Sequence, residues 1–452
     1  MGLSIVILAA GEGRRMKTDK PKPLVNLGDV PLVQFPLNVA TTLKPERTIL
    51  VTGYKKDEVK KYVLENNAGD FIFCEQKERL GTGHAVKQAG PYLPDKGKTL
   101  ILYADVPLVT TGTLSKLIKS INRKKISILT SKIKDPKGYG RIIRDKEMNP
   151  LNIREETDAS KQEKTINEIF TGIMVVDNEF LKNGLKGLLR NNKAGEYYLT
   201  DLVEYASKRK LPVGSTEAKE LEVLGANNKK ELEDLYKAMV TLNIDAAKKR
   251  GTFFKDTSTC YVEGILKVGK DVSIGNNVTI KGNVTLGNNV SIGSNVILSN
   301  TTIGANSTIK EFCSIEDSTI AKNVLVGPFA RLRNGSVLDN FAKIGNFVEV
   351  KKSHLGQNTK ANHHAYIGDS EIGKKSNIGA GTITCNYDGE KKHQTKIGDS
   401  VFIGSNSSLV APLKIGKKSY IAAGSVVTTD VPSGSLAFGR AKQKNKTNWK
   451  KK

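Results

Sequence analysis

Cysteine, aromatic residues and long apolar runs are all scarce in this sequence, and each scarcity excludes a class of protein. The four cysteines lie far apart, at neither metal-binding nor redox spacing, so the sequence predicts no disulfide framework and no zinc site. No apolar run approaches the roughly 18 residues that a membrane-spanning helix needs. The apolar run near the amino terminus is short and has no cationic segment before it, so no signal peptide is predicted. We therefore expect a cytoplasmic protein.

Acidic residues are too few to balance the basic ones. The 71 lysines and arginines against 46 aspartates and glutamates leave a net charge of +25, which points to phosphates, nucleotides, nucleic acid or a membrane surface as partners. Aromatic residues make up only 6% of the chain and no known nucleic-acid-binding motif is present, so we expect no specific nucleic-acid partner. A basic nucleic-acid-binding protein nevertheless stays open as an alternative of another class. The 452 residues predict two or three globular domains.

The first half of the chain alternates short β-rich runs with amphipathic helical stretches. The β-rich runs are residues 5–8, 48–52, 99–102, 126–130 and 172–176. Helical patterns between them include residues 113–121 and 201–208. This alternation predicts an α/β domain with a mostly parallel sheet, which we assign to residues 1–226.

A long helix is predicted next, over residues 227–250. Its apolar residues recur at spacings of three and four, as on one face of a helix, and are Leu232, Leu235, Met239, Leu242 and Ala246. Its position between two segments of different composition indicates a connecting helix. Gly251 is the predicted stop.

A six-residue repeat then governs the chain to about residue 437. Aliphatic residues recur every six positions, beginning with Val268, Ile274, Ile280, Leu286, Ile292 and Leu298. Three six-residue faces make one coil, and each coil buries its aliphatic residues only by stacking on the next. The period predicts a left-handed parallel β-helix over residues 251–437, since a β-sandwich would alternate with a period of two. The basic tail, residues 438–452, is predicted to be solvated and disordered.

A glycine-rich turn follows the first predicted strand. Gly11 allows backbone N–H groups to approach phosphate oxygens closely, and Arg15 and Lys22 supply cations where a triphosphate would lie. Asp105 follows another apolar strand, at the sheet edge where open α/β sheets bind ligands, and one carboxylate beside phosphates suits Mg²⁺. A tight turn without a ligand, and a turn or cap role for Asp105, stay open as alternatives.

Two cations point to a second site, in the β-helix. Arg333 and Lys351 are 18 residues apart, so they are predicted to stack on neighbouring coils about 4.8 Å apart. Like charges at that separation repel unless an anion lies between them, and a sugar phosphate would serve. The alternative is a pair of solvated surface cations.

Two adjacent histidines follow on the next coil. An imidazole can take a proton from an amine nucleophile, so His363 and His364 are candidates for a general base. Between residues 384 and 397 there are thirteen positions where the repeat expects six, which predicts an extruded loop. Asn377, Asn386 and Tyr387 lie on the following coil and this loop, and could complete a pocket.

The amino-terminal motifs resemble the sugar-nucleotide pyrophosphorylase family. The resemblance is carried by residues 8–16 and by the Pro-Lys-Pro-Leu run 21–24. One branch of the family is indicated by Gln76 and by residues 81–85, 105–108, 138–142 and 196–201. These look like the uridylyltransferase half of the bifunctional bacterial enzymes that make UDP-N-acetylglucosamine. That half implies a Rossmann-like nucleotidyltransferase domain. The resemblance also implies that this domain transfers UMP from UTP to N-acetylglucosamine 1-phosphate and releases pyrophosphate.

The resemblance also implies roles for residues of the first domain. UTP and the UDP-sugar would contact the loop residues Leu8, Ala9, Ala10 and Gly11, with Arg15 and Lys22 as catalytic cations. Uracil would be read by Gln76, Gly81 and Thr82, and the sugar would be lined by Tyr103, Gly140 and Glu155. Mg²⁺ would be held by Asp105 and Asn227, the latter also counted with the UDP-sugar site.

The β-helix resembles the acetyltransferase half of the same family, through segments 328–333, 348–352, 379–389 and 421–424. The likeness implies that His363 is the general base for acetyl transfer from acetyl-CoA to glucosamine 1-phosphate. The amino-sugar phosphate would contact Arg333, Lys351, Tyr366, Asn377 and Lys392. Acetyl-CoA would contact Asn386, Tyr387, Ser405, Ala423 and Arg440. A homotrimer with sites between subunits is also implied.

The sequence departs from this family at one position of the sugar site. Phe170 stands where the family has an asparagine that would hydrogen-bond the sugar, and Ala104 replaces a glycine before Asp105. The first change predicts weaker sugar binding but the same reaction. It also leaves open an enzyme with acetyltransferase activity only, whose first domain has drifted.

Overall fold

The structure is a computed structural model that describes residues 2–447 and 449. The chain divides into two compact units, residues 1–239 and 240–452. The division falls inside the connecting helix rather than at either of its ends.

The first unit is an α/β fold. Its strands are β1 (Leu3–Ala9), β2 (Asn26–Leu27), β3 (Val30–Pro31), β4 (Arg47–Thr52), β5 (Phe71–Glu75), β6 (Lys98–Tyr103), β7 (Ile126–Lys132), β8 (Arg141–Arg144), β9 (Pro150–Arg154), β10 (Glu168–Asp177) and β11 (Val213–Glu217). Its helices are α1 (Gln34–Leu43), α2 (Lys56–Asn66), α3 (Thr82–Ala89), α4 (Thr111–Ser120), α5 (Asn178–Lys186), α6 (Asp201–Lys208) and α7 (Lys229–Lys248), the last of which extends into the second unit.

The main sheet has the strand order β11-β7-β10-β6-β1-β4-β5. Only β10 on this path runs antiparallel to its neighbours, β6 and β7, so the predicted mostly parallel sheet is confirmed. β1 is central and almost wholly buried, as its apolar run requires. Because β1 and β6 pair in parallel with Leu8 opposite Tyr103, their carboxyl ends meet at one edge of the sheet.

The connecting helix α7 lies within the predicted range, Lys229–Lys248. Gly251 follows with φ of +93°, a conformation in which a side chain would be strained, so a glycine ends the helix as predicted.

The second unit is built of short parallel strands in three sheets, which we call faces 1, 2 and 3. Face 1 contains Phe253–Phe254, Ser273–Ile274, Ser291–Ile292, Thr308–Ile309, Leu325–Val326, Lys343–Asn346, Lys360–His363, Asn377–Ile378, Phe402–Ile403, Tyr420–Ile421 and Leu436–Ala437. Face 2 contains Tyr261–Val262, Thr279–Lys281, Ile297–Ser299, Ser314–Glu316, Arg331–Arg333, Glu349–Lys351, Tyr366–Gly368, Ile383–Cys385, Ser408–Val410 and Val426–Val427. Face 3 contains Ile265–Val268, Asn283–Leu286, Thr302–Ile303, Thr319–Ile320, Val337–Leu338, His354–Leu355, Ser370–Ile372, Thr395–Ile397 and Leu413–Ile415.

This arrangement agrees with the left-handed β-helix that the repeat predicts. The anchors Ile274, Ile280 and Leu286 are each at most 1% exposed and stack on the equivalent residue of the next coil. Asparagines such as Asn277 and Asn295 turn the corners at positive φ, which their short polar side chains tolerate.

The basic tail has no regular secondary structure over residues 441–446. The prediction for the tail also covers Asn448 and Lys450–Lys452, which lie outside the described residues. Among the helices of the described part, none is long and apolar enough to cross a membrane.

Candidate functional site

A cavity of about 270 Å³ opens at the edge where β1 and β6 end. It brings together the predicted nucleotide-binding residues Leu8, Ala9, Ala10, Gly11, Lys22, Gln76, Gly81, Thr82, Tyr103 and Asp105. Gly13 has φ of +77°, and a Cβ there would come within 3.0 Å of the Lys22 Cβ. A glycine is therefore needed for the loop to lie against Lys22.

A second cavity, of about 720 Å³, is lined by the remaining predicted residues of this site. These are Arg15, Gly140, Glu155 and Asn227. The two cavities share Thr82, Tyr103 and Asp105 in their walls, so they adjoin each other. The structure thus gathers every predicted residue of the first site around two neighbouring spaces.

Asp105 and Asn227 converge on one point. Both the Asp105 Oδ2 atom and the Asn227 Oδ1 atom accept a hydrogen bond from the Lys22 ammonium group, at 2.5 and 2.8 Å. Glu231 accepts from the Asn227 Nδ2 atom at 3.1 Å, which turns the amide oxygen towards Lys22. A carboxylate and an amide oxygen that already flank a cation are a donor set that fits Mg²⁺, which keeps several waters and bridges to phosphates.

Two acidic residues at or beside the second cavity are partly buried: Glu155 lines it, and Asp201 lines a neighbouring cavity together with Glu155. Burial raises the pKa of Glu155, while a hydrogen bond from Thr200 at 3.0 Å partly offsets the shift. Burial and the nearby carboxylates of Glu204 and Asp158 raise the pKa of Asp201 to about 6. Burial also raises the pKa of the Tyr103 hydroxyl, so this group stays a neutral hydrogen-bond donor at neutral pH.

Phe170, the departure from the family pattern, lines this same cavity. It is 6% exposed and packs in the hydrophobic core, and its backbone N–H donates to the Gly140 carbonyl at 2.8 Å. The pairing of β10 with β7 shifts register between Phe170 and Met174, at Gly172, whose φ is +87°. A Cβ at Gly172 would meet the Tyr103 ring at 3.0 Å.

Sequence reasoning missed two arginines at or beside this site. Arg79 lines the nucleotide cavity and forms an ion pair with Glu12 of the glycine-rich loop. Arg141, the residue after Gly140, lines neither cavity but is 2% exposed, and its guanidinium donates to Glu156 at 2.8 Å. The position of Arg79 between Gln76 and Gly81 was the available signal, whereas nothing in the sequence marks Arg141 as buried.

The predicted stacking of Arg333 on Lys351 is present, since the two residues are partners in the parallel register of face 2. Two carboxylates of the chain itself also lie beside these cations, and the sugar phosphate between them stays a prediction. Arg333 donates to Glu349 at 2.7 Å and Lys351 donates to Asp369 at 2.7 Å. Each cation therefore has a carboxylate of its own that offsets its charge.

The extruded loop folds back onto this stack. Asn386 donates to Asp369, so the loop is tied to the partner of Lys351. The proximity of the Lys351 and Arg333 charges lowers the pKa of Lys392, while Asp369 raises the pKa of Lys351. Three cations therefore face two carboxylates, and the surplus positive charge favours an anion beside Lys392.

Tyr366 and Tyr387 flank this cluster differently. A Cβ at Gly368 would lie 2.5 Å from the Tyr366 hydroxyl oxygen, so the glycine leaves room for the tyrosine above it. Tyr387 is 59% exposed on the loop, where its backbone bridges to Lys392.

The two adjacent histidines have different surroundings. The His363 Nδ1 atom lies 2.7 Å from the Asn346 Oδ1 atom, which can only accept, so Nδ1 carries the proton and Nε2 is the basic nitrogen. His364 instead ends a stack of rings at one corner of the β-helix, formed by Phe312, Phe329, Phe347 and His364 with centroid separations of 4.8, 5.2 and 5.1 Å. The geometry therefore favours His363 as the base. Asn346, 17 residues earlier, was not anticipated.

The other predicted acetyl-CoA residues lie on later coils. Ser405, Ala423 and Arg440 lie close to two glycines of these coils. The Gly424 N–H donates to the Ser405 carbonyl at 2.8 Å, and a Cβ at Gly424 would lie 3.8 Å from Arg440. A Cβ at Gly404 would touch Ala423. Asn377 lies on face 1, opposite Phe402 in register. Within the described part of one chain, the side chains of Ser405, Ala423 and Arg440 make no hydrogen bond or ion pair with the Arg333 cluster.

Three family models match parts of the chain. Residues 5–155 match the MobA-like NTP transferase domain. Residues 262–341 match the GMPPB C-terminal domain, and residues 394–429 match the bacterial transferase hexapeptide (six repeats).

Similar proteins match over the full length. A protein of Nitrosomonas europaea is 45% identical over 99% of this chain and 98% of its own length. One of Idiomarina loihiensis is 43% identical over 100% and 98%, and one of Alcanivorax borkumensis is 45% identical over 100% and 99%. Each of the three is named bifunctional protein GlmU.

Proposed function

This chain belongs to the family of bifunctional GlmU proteins, and on that premise we propose which substrates its two sites take and what their residues do. It is a bifunctional enzyme that joins a nucleotidyltransferase domain to a hexapeptide-repeat acetyltransferase domain. The second site acetylates glucosamine 1-phosphate with acetyl-CoA. The first site then transfers UMP from UTP to N-acetylglucosamine 1-phosphate.

One observation carries the proposal for the first site, the sharing of Thr82, Tyr103 and Asp105 by two adjoining cavities. UTP fills the cavity beside the glycine-rich loop, with uracil against Gln76 and Gly81, and the sugar phosphate fills the cavity beside Glu155. The two substrates then meet at Asp105. There a phosphate oxygen of the sugar can approach the α-phosphorus of UTP.

The uridylyl transfer needs positioning and charge neutralisation rather than a covalent intermediate. The phosphate oxygen forms a bond to the α-phosphorus as the bond to pyrophosphate breaks. Lys22, Arg15 and Arg79 neutralise negative charge on the phosphates. Asp105 and Asn227 would hold Mg²⁺, which when bound supplies further neutralisation between the two phosphate groups.

The second site supplies a base and an anion-binding cluster. The His363 Nε2 atom takes a proton from the amino group of glucosamine 1-phosphate, because Asn346 holds the proton of the ring on Nδ1. The amine attacks the thioester carbonyl of acetyl-CoA, and CoA leaves as its thiol with the amine proton. Arg333, Lys351 and Lys392 bind the sugar phosphate, with Tyr366 and Asn377 beside it.

We propose a homotrimer with the acetyltransferase sites between subunits. The support is that, in the described part of one chain, the side chains of Ser405, Ala423 and Arg440 make no hydrogen bond or ion pair with the Arg333 cluster. Asn386 and Tyr387 on the loop would contact acetyl-CoA together with those three residues of another subunit. Light scattering should give three times the 49.2 kDa of the chain. A monomer that still acetylates would contradict the proposal. Since acetyl-CoA and UTP are cytoplasmic metabolites, the proposed location is the cytoplasm.

The test measures the two half-reactions separately. Glucosamine 1-phosphate with acetyl-CoA should release CoA, and N-acetylglucosamine 1-phosphate with UTP and Mg²⁺ should release pyrophosphate. CoA release without pyrophosphate release would favour an acetyltransferase with a drifted first domain. Retention of duplex DNA in a filter-binding assay at physiological salt, with neither product formed, would favour the nucleic-acid-binding alternative.

A further inference from the structure

His84 is the residue of the 81–85 motif to which the reaction above gives no role. It lies in the first turn of α3, and its Nδ1 atom is 3.4 Å from the Nε2 atom of Gln76, the proposed uracil reader. Its ring stacks on Tyr197, with centroids 6.2 Å apart. The Tyr197 carbonyl in turn accepts from the N–H of Gly83, the residue before His84, at 2.8 Å. Tyr197 therefore contacts both the His84 ring and the backbone next to it.

The orientation of the Gln76 amide follows from its neighbours. Its Nε2 atom is 3.0 Å from the Gly81 carbonyl oxygen, which can only accept, so the NH₂ group must face Gly81. The second hydrogen of that NH₂ group is directed to His84 Nδ1. Both hydrogens are then used, and the Gln76 side chain is 8% exposed, so only its Oε1 atom is left for a ligand in the cavity.

Such an arrangement distinguishes the two pyrimidine bases. Among the hydrogen bonds of the described residues, none uses the Gly81 N–H, so a base in the cavity that Gly81 and Gln76 both line can accept from it while donating to the Gln76 Oε1 atom. Uracil presents O4 as an acceptor beside N3–H as a donor, which complements this pair. Cytosine presents an amino donor beside a bare N3 acceptor, so donor would face donor and acceptor would face acceptor.

We propose that His84 is a positioning residue that fixes the Gln76 amide in the uracil-reading orientation and so favours UTP over CTP. The inference rests on the proposed uridylyl transfer. If the Gln76 amide turned over, its oxygen would face the Gly81 carbonyl oxygen and the lone pair of His84 Nδ1, which would repel it. Its NH₂ group would then face the base. That orientation would suit the bare N3 of cytosine.

The protonation of the ring must agree with this role. The Gln88 Nε2 atom lies 3.0 Å from His84 Nε2, and a neutral imidazole accepts on only one nitrogen. The NH₂ group of Gln76 is buried and donates to the Gly81 carbonyl at 3.0 Å. Gln88 is partly exposed, and its NH₂ group has a longer bond, 3.3 Å, to the His84 carbonyl, which must break if the amide turns. We therefore assign the bare nitrogen to Nδ1, and the Gln88 amide oxygen accepts from Nε2–H.

The test compares His84→Phe with His84→Asn in the full-length enzyme. Phenylalanine keeps the ring against Tyr197 but removes the acceptor, while asparagine restores an oxygen near the Nδ1 position. Pyrophosphate release is measured with UTP and with CTP at saturating N-acetylglucosamine 1-phosphate and Mg²⁺. The ratio of kcat/KM for UTP over CTP should fall about three- to twelvefold in His84→Phe, the worth of one neutral hydrogen bond. It should stay close to wild type in His84→Asn.

Lys87→Met is the matched control, because Lys87 is exposed on the same helix and lies 6.0 Å from the Tyr197 ring. It should leave the ratio unchanged, and the KM for the sugar phosphate should be the same in all three variants. An unchanged ratio in His84→Phe, or an equal fall in His84→Asn, would overturn the role of His84. Wild-type enzyme that releases no pyrophosphate would instead contradict the proposed uridylyl transfer itself.

Discussion

The ammonium nitrogen of Lys22 lies 2.5 Å from a carboxylate oxygen of Asp105, so the predicted phosphate-binding cation and the predicted metal ligand form an ion pair with each other. The Lys22 side chain is 12% exposed, so solvent screens the pair only weakly. A divalent cation held by Asp105 and Asn227 would therefore have to displace this ammonium group. On the proposed function, UTP phosphates would give the displaced ammonium a new partner, which would couple binding of the metal to binding of the nucleotide.

Replacing Lys22 by Met should tighten the binding of Mn²⁺ to the nucleotide-free protein by about tenfold, since a charge-assisted hydrogen bond no longer has to be broken. Electron paramagnetic resonance of free Mn²⁺ measures this affinity without any turnover. Lys17→Met removes an exposed cation of the same loop and serves as the control, with unchanged affinity expected. Equal Mn²⁺ affinity in wild type and Lys22→Met would show that the ammonium does not compete with the metal.

His363→Ala should lower CoA release by about 10²- to 10⁴-fold, the usual contribution of a general base. Pyrophosphate release from preformed N-acetylglucosamine 1-phosphate should persist, because His363 belongs to the second unit. His364→Ala is the matched control, as its ring belongs to the aromatic stack with Phe347. A fall of less than about tenfold in His363→Ala, with a larger one in His364→Ala, would reverse the assignment of the base.

Asn346→Ala tests how the base is oriented. Without the Asn346 oxygen, the His363 proton is no longer held on Nδ1, and part of the population carries it on Nε2, where the ring cannot accept the amine proton. The kcat for CoA release should fall about three- to tenfold, with little change in the KM for glucosamine 1-phosphate. A raised KM at constant kcat would place Asn346 in substrate binding instead.

Much of both sites follows from periodicity. The 18-residue spacing predicts that Arg333 stacks on Lys351, and the order of strands predicts that Asp105 lies near the glycine-rich loop. The pairing of Asn346 with His363 escaped prediction because their coils repeat at 17 residues rather than 18. Asp369 also lies 18 residues after Lys351, so the spacing places it nearby, but whether its carboxylate contacts the ammonium group depends on side-chain rotamers.

Asp201 should make the stability of the first unit depend on pH. Because its pKa of about 6 in the folded state lies above the ordinary value, the ionised carboxylate destabilises the fold above pH 6. That cost disappears as the pH falls below the ordinary range of an aspartate. Asp201→Asn should therefore stabilise the protein by about 1 kcal/mol at pH 7.5, after a discount for the partial exposure of Asp201, and by almost nothing near pH 3.

Thermal unfolding at the two pH values measures this effect. Asp57→Asn is the control, since Asp57 also lies in the first turn of a helix, α2, but is exposed. It should be neutral or slightly destabilising, because an acidic residue there interacts favourably with the helix dipole. Equal gains from both substitutions would mean that burial of Asp201 does not cause its shift.

Phe170→Asn tests the departure from the family pattern. An asparagine in the wall of the second cavity would regain one hydrogen bond to the sugar. Such a bond contributes about 0.5–1.5 kcal/mol net. The KM for N-acetylglucosamine 1-phosphate should therefore fall roughly three- to twelvefold. The KM for UTP and the rate of acetyl transfer should not change, since Phe170 lines neither the nucleotide cavity nor the β-helix.

The same substitution should lower stability, because Phe170 is 6% exposed in the core and its ring would be lost. Removing a buried phenylalanine ring costs about 3–5 kcal/mol, so the melting temperature should fall even as sugar affinity rises. Phe170→Leu is the matched control, since it shortens the side chain without a polar group and should leave the sugar KM no lower than wild type. A sugar KM that Asn does not lower would mean that the 170 side chain points into the core rather than at the sugar. Wild-type enzyme without pyrophosphate release, restored by Asn, would instead favour the enzyme with a drifted first domain.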